Sequence, residues 1–156
     1  MVKSEKTNRF LIIRVSAQLC GLPLEHVGET MRPQPVRSIA GAPPFVVGLA
    51  LVRGQSVPVI DAACLLGLPA LHPQRFVTLK TGHHIVALAV EDVVGVRDIE
   101  DTSRHALPPL LAHVDEQIIT GMASLDAELM VVLGAMRVLP DSVWSTIEAD
   151  RDHSLA

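Results

Sequence analysis

Short apolar runs separated by turn residues set the pattern of this chain. Arg9–Val15 (RFLIIRV), Leu19–Pro23, Arg75–Lys80, Ile85–Val90, Val93–Ile99, Ile118–Leu125 and Leu129–Leu133 are each a few residues long and rich in valine, isoleucine and leucine. Such runs, bounded by polar or glycine-bearing turns, read as strands. In the centre, Val46–Val52 and Val57–Ile60 flank Arg53-Gly54-Gln55-Ser56. That arrangement predicts a β-hairpin with Arg53 held in water at its tip. Pro58 has no N–H for a ladder, so the returning strand is expected at an edge or a bulge. Three short helical pieces are expected: a turn over Leu24–Val27, one or two turns over Asp61–Gly67, and a C-terminal helix over 142–149. Aspartate and glycine are the start and stop signals of the second. The third has Ser142 as its cap, with Trp144 and Ile147 on one face. Four prolines (Pro33, Pro35, Pro43, Pro44) make 33–44 a loop with no regular ladder, and polar 100–114 a connection.

The runs also repeat. A shift of 66 positions lays RFLIIRVSAQLCGLPLEHVGETMR over RFVTLKTGHHIVALAVEDVVGVRD without a gap, matching Arg9 with Arg75, Phe10 with Phe76, Leu22 with Leu88, Glu25 with Glu91 and Val27 with Val93. A shift of 73 lays VGLALVRGQSVPVI over TGMASLDAELMVVL, matching Gly48 with Gly121 and Val59 with Val132. The order of elements is the same in both halves, which predicts a duplicated β-unit. Five short strands per unit can close into a small barrel and so remove exposed edges. The halves differ in charge where Glu29 falls over Gly95 and Arg53 over Asp126.

Composition narrows the chemistry. The 156 residues suit one domain, or two very small ones sharing a core, and 49% apolar content supplies that core. A formal charge of −4 and only 3% aromatic residues argue against nucleic acid, which rewards basic patches and stacking platforms. The polar N-terminus and the interruption of the first apolar run by Arg14 predict neither a signal peptide nor insertion into a membrane. Cys20 and Cys64, each among apolar neighbours, are expected as buried reduced thiols. Seven histidines lack the i, i+4 spacing, or a Cys-x-x-Cys companion, that builds a metal site. No Gly-x-Ser-x-Gly elbow or Walker-type glycine loop is present, so neither catalysis nor a cofactor is expected.

One stretch resembles a known family. Gly48-Leu49-Ala50-Leu51-Val52-Arg53-Gly54-Gln55-Ser56-Val57-Pro58-Val59-Ile60-Asp61 is similar to a signature of the CheW family of bacterial chemotaxis adaptors, as is the upstream Gly21-Leu22-Pro23-Leu24-Glu25-His26-Val27-Gly28-Glu29. Gly121, Leu129–Leu133 and Leu139 fit that family's final hairpin and helix. The resemblance spans about residues 9–149 and implies two five-stranded, SH3-like β-barrels packed through a shared core, in one domain with polar tails at 1–8 and 150–156. The subdomains would run over about 9–68 and 69–140, with strands swapped or shared between them. It implies a non-catalytic, cytoplasmic adaptor in two-component signalling. Such an adaptor couples chemoreceptor cytoplasmic tips to the regulatory domain of a CheA-like histidine kinase. The alternative is a scaffold or decoy of the same fold in a surface-motility or biofilm pathway. By motif, Glu29, Arg53 and Gly54 would lie on the partner-binding face, with Val27 and Val96 as its apolar lining.

Overall fold

The computed structural model describes residues 9–100, 104–105, 118–134 and 143–148. Among these residues, twelve strands form two six-stranded sheets. In chain order they are β1 (Arg9–Val15), β2 (Gln18–Pro23), β3 (Val27–Met31), β4 (Val36–Arg37), β5 (Val46–Val52), β6 (Gln55–Asp61), β7 (Arg75–Thr81), β8 (His84–Val90), β9 (Asp92–Asp98), β10 (Arg104–His105), β11 (Ile119–Leu125) and β12 (Glu128–Leu133). The first sheet runs β10-β11-β12-β2-β1-β9 and the second β4-β5-β6-β8-β7-β3. Each therefore has five longer strands and one strand of two residues.

The duplication seen along the chain is carried into the pairing. Shifting every strand of the second sheet by one half-chain gives the order of the first. The register agrees too: Val27 faces Leu79 as Val93 faces Ile13, and Val59 faces Ala87 as Val132 faces Gly21. The sheets nevertheless do not divide the chain at its middle. β1 and β2 join β9–β12, whereas β7 and β8 join β3–β6, and the junctions β12·β2 and β6·β8 are the parallel pairs. Residues 27–90 thus build one sheet, and residues 9–23 with 92–133 the other.

This exchange explains why the strands are apolar runs rather than alternating ones. Leu11, Ile13 and Val15 of β1 enter a core shared by both sheets, with Leu79, Leu88, Ile60 and Val131. Phe10 and Ile12, on the opposite face of β1, pack in a second cluster with Leu19, Met130 and Val132. Their counterparts behave alike, with Phe76 among Val57, Val59 and Ala87 in a third cluster. A strand buried on both faces has no polar face to show.

The helical pieces fall where the signals stood. A 3₁₀ turn covers Leu24–His26. Helix α1 (Ala62–Leu66) is capped by Asp61, whose carboxylate accepts from the Cys64 N–H at 3.1 Å, and it ends at Gly67. Helix α2 covers 143–148 and buries Val143, Trp144 and Ile147. The Trp144 ring stacks on His84 with centroids 3.8 Å apart. Ser142 and the polar tails lie outside the described residues.

Three expectations are corrected. Of the edge or bulge expected at Pro58, the edge is overturned: β6 is an interior strand, Pro58 lies one residue from the β5–β6 bulge, and pairing with β8 begins only at Val59. The proline-rich loop does contribute a ladder, since Val36 and Arg37 pair with Ala50 and Leu49. Both cysteines are free, but only Cys20 is buried; Cys64 is exposed because the buried face of α1 is carried by Ala62, Ala63 and Leu66.

Candidate functional site

The central hairpin turns in two residues. Arg53 (φ 49°) and Gly54 (φ 80°) both adopt the left-handed region, as a type I′ turn between twisted strands requires. The strand therefore starts at Gln55, and Arg53 stands at the extreme tip. Its Nε donates to Glu29 Oε2 at 2.7 Å and its Nη2 to Glu29 Oε1 at 2.8 Å. This is the bidentate fork that a planar guanidinium forms with a carboxylate. The Arg53 side chain is 77% exposed and that of Glu29 34%. The hydrogen bond from Arg53 holds the Glu29 carboxyl below the usual range, and Glu29 in turn raises the guanidinium.

Glu29 reaches the tip from β3, which among the described strands is an edge paired with β7. A bulge lies between Val27, opposite Leu79, and Thr30, opposite Val77. Gly28 and Glu29 therefore stand against the single residue Thr78. The Glu29 N–H donates to Thr78 Oγ1 at 2.8 Å, so a buried hydroxyl serves the amide at the bulge.

Of the five residues expected on this face, three meet at the tip: Glu29, Arg53 and Gly54. Val27 opens the same strand β3, half-buried against the shared core. Val96 sits on β9, the edge of the other sheet, and is 49% exposed, next but one to the similarly exposed Val94. Beside the hairpin, Val36, Leu49, Leu51 and Ser56 line a groove of about 320 Å³, in which Leu51 is 66% exposed.

The other sheet carries a counterpart not foreseen from the residues. Asp126 and Ala127 form its two-residue turn (φ 52° and 68°). Asp126 accepts from Arg97 Nη1 at 3.1 Å and Nη2 at 3.3 Å, and this pairing lowers its carboxyl below the usual range. Each sheet thus joins a hairpin tip to its edge strand by a bidentate ion pair, and the polarity is reversed. The cation is on the tip in one and on the strand in the other. A third fork, Arg14 to Glu128 at 2.9 and 3.0 Å, braces the start of β12. The Arg53/Asp126 mismatch in the repeat was the available signal for the reversal; Arg97, two residues past the Glu29 counterpart, was hidden by its offset.

These groups can offer planar donors and carboxylate acceptors beside exposed aliphatic side chains. Among the described residues no group of three His, Cys, Asp or Glu is placed to hold a metal ion. No helix among them is long and apolar enough to cross a membrane.

Comparison with known proteins bears on the family and the fold. The CheW-like domain family matches residues 9–143. The chain is 20% identical over 142 residues to the chemotaxis protein CheW of Klebsiella aerogenes, covering 89% of this chain and 86% of that one. It is 32% identical over 103 residues to the protein PilI of Pseudomonas aeruginosa (64% of this chain, 58% of that one). With the protein FrzA of Myxococcus xanthus it shares 30% identity over 105 residues (65% and 64%). The crystal structure of the scaffolding protein TtCheW from Thermoanaerobacter tengcongensis superposes with a TM-score of 0.74 at 21% identity, covering 85% of this chain and 92% of that one.

Proposed function

The chain belongs to the CheW-like domain family, and from that premise we propose that it is a non-catalytic adaptor of a chemosensory pathway. In this reading it acts in the cytoplasm and couples the helical tip of a chemoreceptor to the regulatory domain of a CheA-type histidine kinase. The observation that carries the reading is the Glu29–Arg53 fork at the tip of the central hairpin. A guanidinium whose acid partner fixes its plane, beside exposed Leu51, is pre-organised to accept a polar, amphipathic helix. Val27, Gly54 and Val96 complete the proposed face. A second reading is a scaffold of the same fold serving a surface-motility or biofilm kinase; it stays open because the relatives include two proteins, PilI and FrzA, that are not named for chemotaxis.

Capture from the source cell separates the two, because the kinase and receptor that co-purify name the pathway. The face itself is tested by Arg53→Glu, which sets two carboxylates against each other at the tip. Affinity for the receptor tip should fall at least about tenfold, since arginines at interface centres are frequent hot spots. Melting should move little, because surface substitutions seldom perturb a fold. Unchanged affinity, or affinity lost only together with folding, rejects the docking role.

A further inference from the structure

We propose that Thr78 is the positioning residue of the Glu29–Arg53 pair, its buried hydroxyl holding the Glu29 backbone at the strand bulge so that the carboxylate is aimed at the hairpin tip. The inference rests on reading that pair as the docking contact, but its first test does not need a partner.

Thr78 lies in the interior strand β7 and is 5% exposed; it and Thr81 are the buried polar side chains among the described residues. Burying a hydroxyl costs free energy unless it is hydrogen-bonded; Thr81 Oγ1 has no partner among the described residues, whereas Thr78 Oγ1 does. Thr78 Oγ1 accepts from the Glu29 N–H at 2.8 Å and is placed to donate to the Glu29 carbonyl at 3.4 Å. Both bonds go to the backbone of one residue, the one whose side chain forms the fork. A bulge sets two residues against one and thereby re-aims a side chain. Here the two are Gly28 and Glu29, and the one is Thr78. Gly28 is what makes room: a Cβ built on it would meet Thr78 Oγ1 at 2.5 Å.

The other sheet supplies a control within the same chain. Its edge strand β9 shifts register at the equivalent place, where Gly95 faces Ile12 and Val93 faces Ile13. Ile12 stands where Thr78 stands and has no hydroxyl, and the position of Glu29 is taken by Gly95, which has no side chain to aim. The tip of that sheet is served from Arg97 instead. Hydroxyl and aimed carboxylate are present together in one half and absent together in the other.

The test is the titration of the Glu29 carboxyl, followed by NMR in the full chain, for wild type, Thr78→Ser, Thr78→Val and Gly28→Ala. In wild type Arg53 holds that carboxyl below its usual range. Thr78→Val removes the hydroxyl at nearly constant shape, and Gly28→Ala displaces it by crowding. Both should move the midpoint upward, toward that of a free glutamate, while Thr78→Ser, which keeps the hydroxyl, should leave it in place. A receptor-tip helix, where it binds wild type, should bind Thr78→Val about fivefold more weakly, the scale of one hydrogen bond. In an Arg53→Ala background the same substitution should cost nothing further. An unmoved midpoint in Thr78→Val overturns the proposal, as does a Thr78→Val chain that no longer folds, which makes the hydroxyl a requirement of the fold. Failure of the helix to bind wild type would count against the docking reading alone, and the titration would still decide the role of Thr78.

Discussion

Gly48 and Gly121 are the same residue at the same place in the repeat, yet substituting them by alanine should have opposite consequences. Gly48 lies at the bulge of β5, with φ +155°, a region that side-chain-bearing residues rarely enter. A Cβ there would run into the carbonyl oxygen of Arg37, and would also meet the Arg37 carbonyl carbon at 2.7 Å and Val36 Cγ1 at 2.8 Å. The obstacle is backbone, so it cannot swing aside. Either β5 distorts or β4 leaves, losing the pairing of Val36 with Ala50 and Arg37 with Leu49 and the packing of Val36 on the third cluster. The conformational cost is of order 1–3 kcal/mol, and a lost ladder bond adds about 1. We therefore expect Gly48→Ala to cost about 3 kcal/mol. At about 2–4 °C per kcal/mol for a chain of this size, Tm should fall by about 6–12 °C. A Cβ on Gly121 meets nothing within 4 Å. Gly121→Ala should therefore be neutral or stabilise by up to about 1 kcal/mol, through the unfolded state. Circular-dichroism melts of both variants, with denaturant titrations to confirm that m is unchanged, decide the matter. Equal losses at the two glycines, or a Gly48→Ala chain as stable as wild type, would refute the argument that close approach of β4 is what requires glycine.

Two further outcomes follow from the charges and thiols. Glu29, Asp126 and Glu128 are each held below the usual carboxyl range, chiefly by hydrogen bonds from Arg53, Arg97 and Arg14. A carboxyl depressed in the folded state stabilises it above the unfolded-state pKa, and that contribution is lost as pH falls through the folded one. The combined variant Glu29→Gln/Asp126→Asn/Glu128→Gln should accordingly show a shallower fall of Tm on acidification than wild type. The difference should shrink in high salt, since these pairs are exposed, and equal slopes would reject the assignment. Maleimide should label Cys64 in the folded chain at neutral pH. Cys20, whose thiol burial pushes up to about 12, should react only after denaturation, so rapid labelling of both would contradict the core described above.

Much of this protein is written in local chemistry. Each run of valine, isoleucine and leucine became a strand within a residue or two of its expected ends, because a short apolar run between turn residues has few other ways to hide its side chains. The duplication was legible for the same reason, since both halves solve one packing problem with one pattern. Arg53 at a tip followed from Gly54 and the flanking runs, and Asp61 and Gly67 marked the ends of α1. Tertiary structure decided what depends on the neighbour across a gap. Which strands join which sheet is set by the parallel pairs β6·β8 and β12·β2, and nothing within either strand specifies a partner more than twenty residues away. Gly48 and Gly121 read alike until the backbone of Arg37 closes over one of them. Arg97, unremarkable in the chain, became the partner of Asp126 only when strand β9 passed the β11–β12 turn. Thr78 looked like any strand threonine until a bulge in another strand gave its hydroxyl a task, because a hydrogen bond between residues far apart in the chain leaves no period in the sequence.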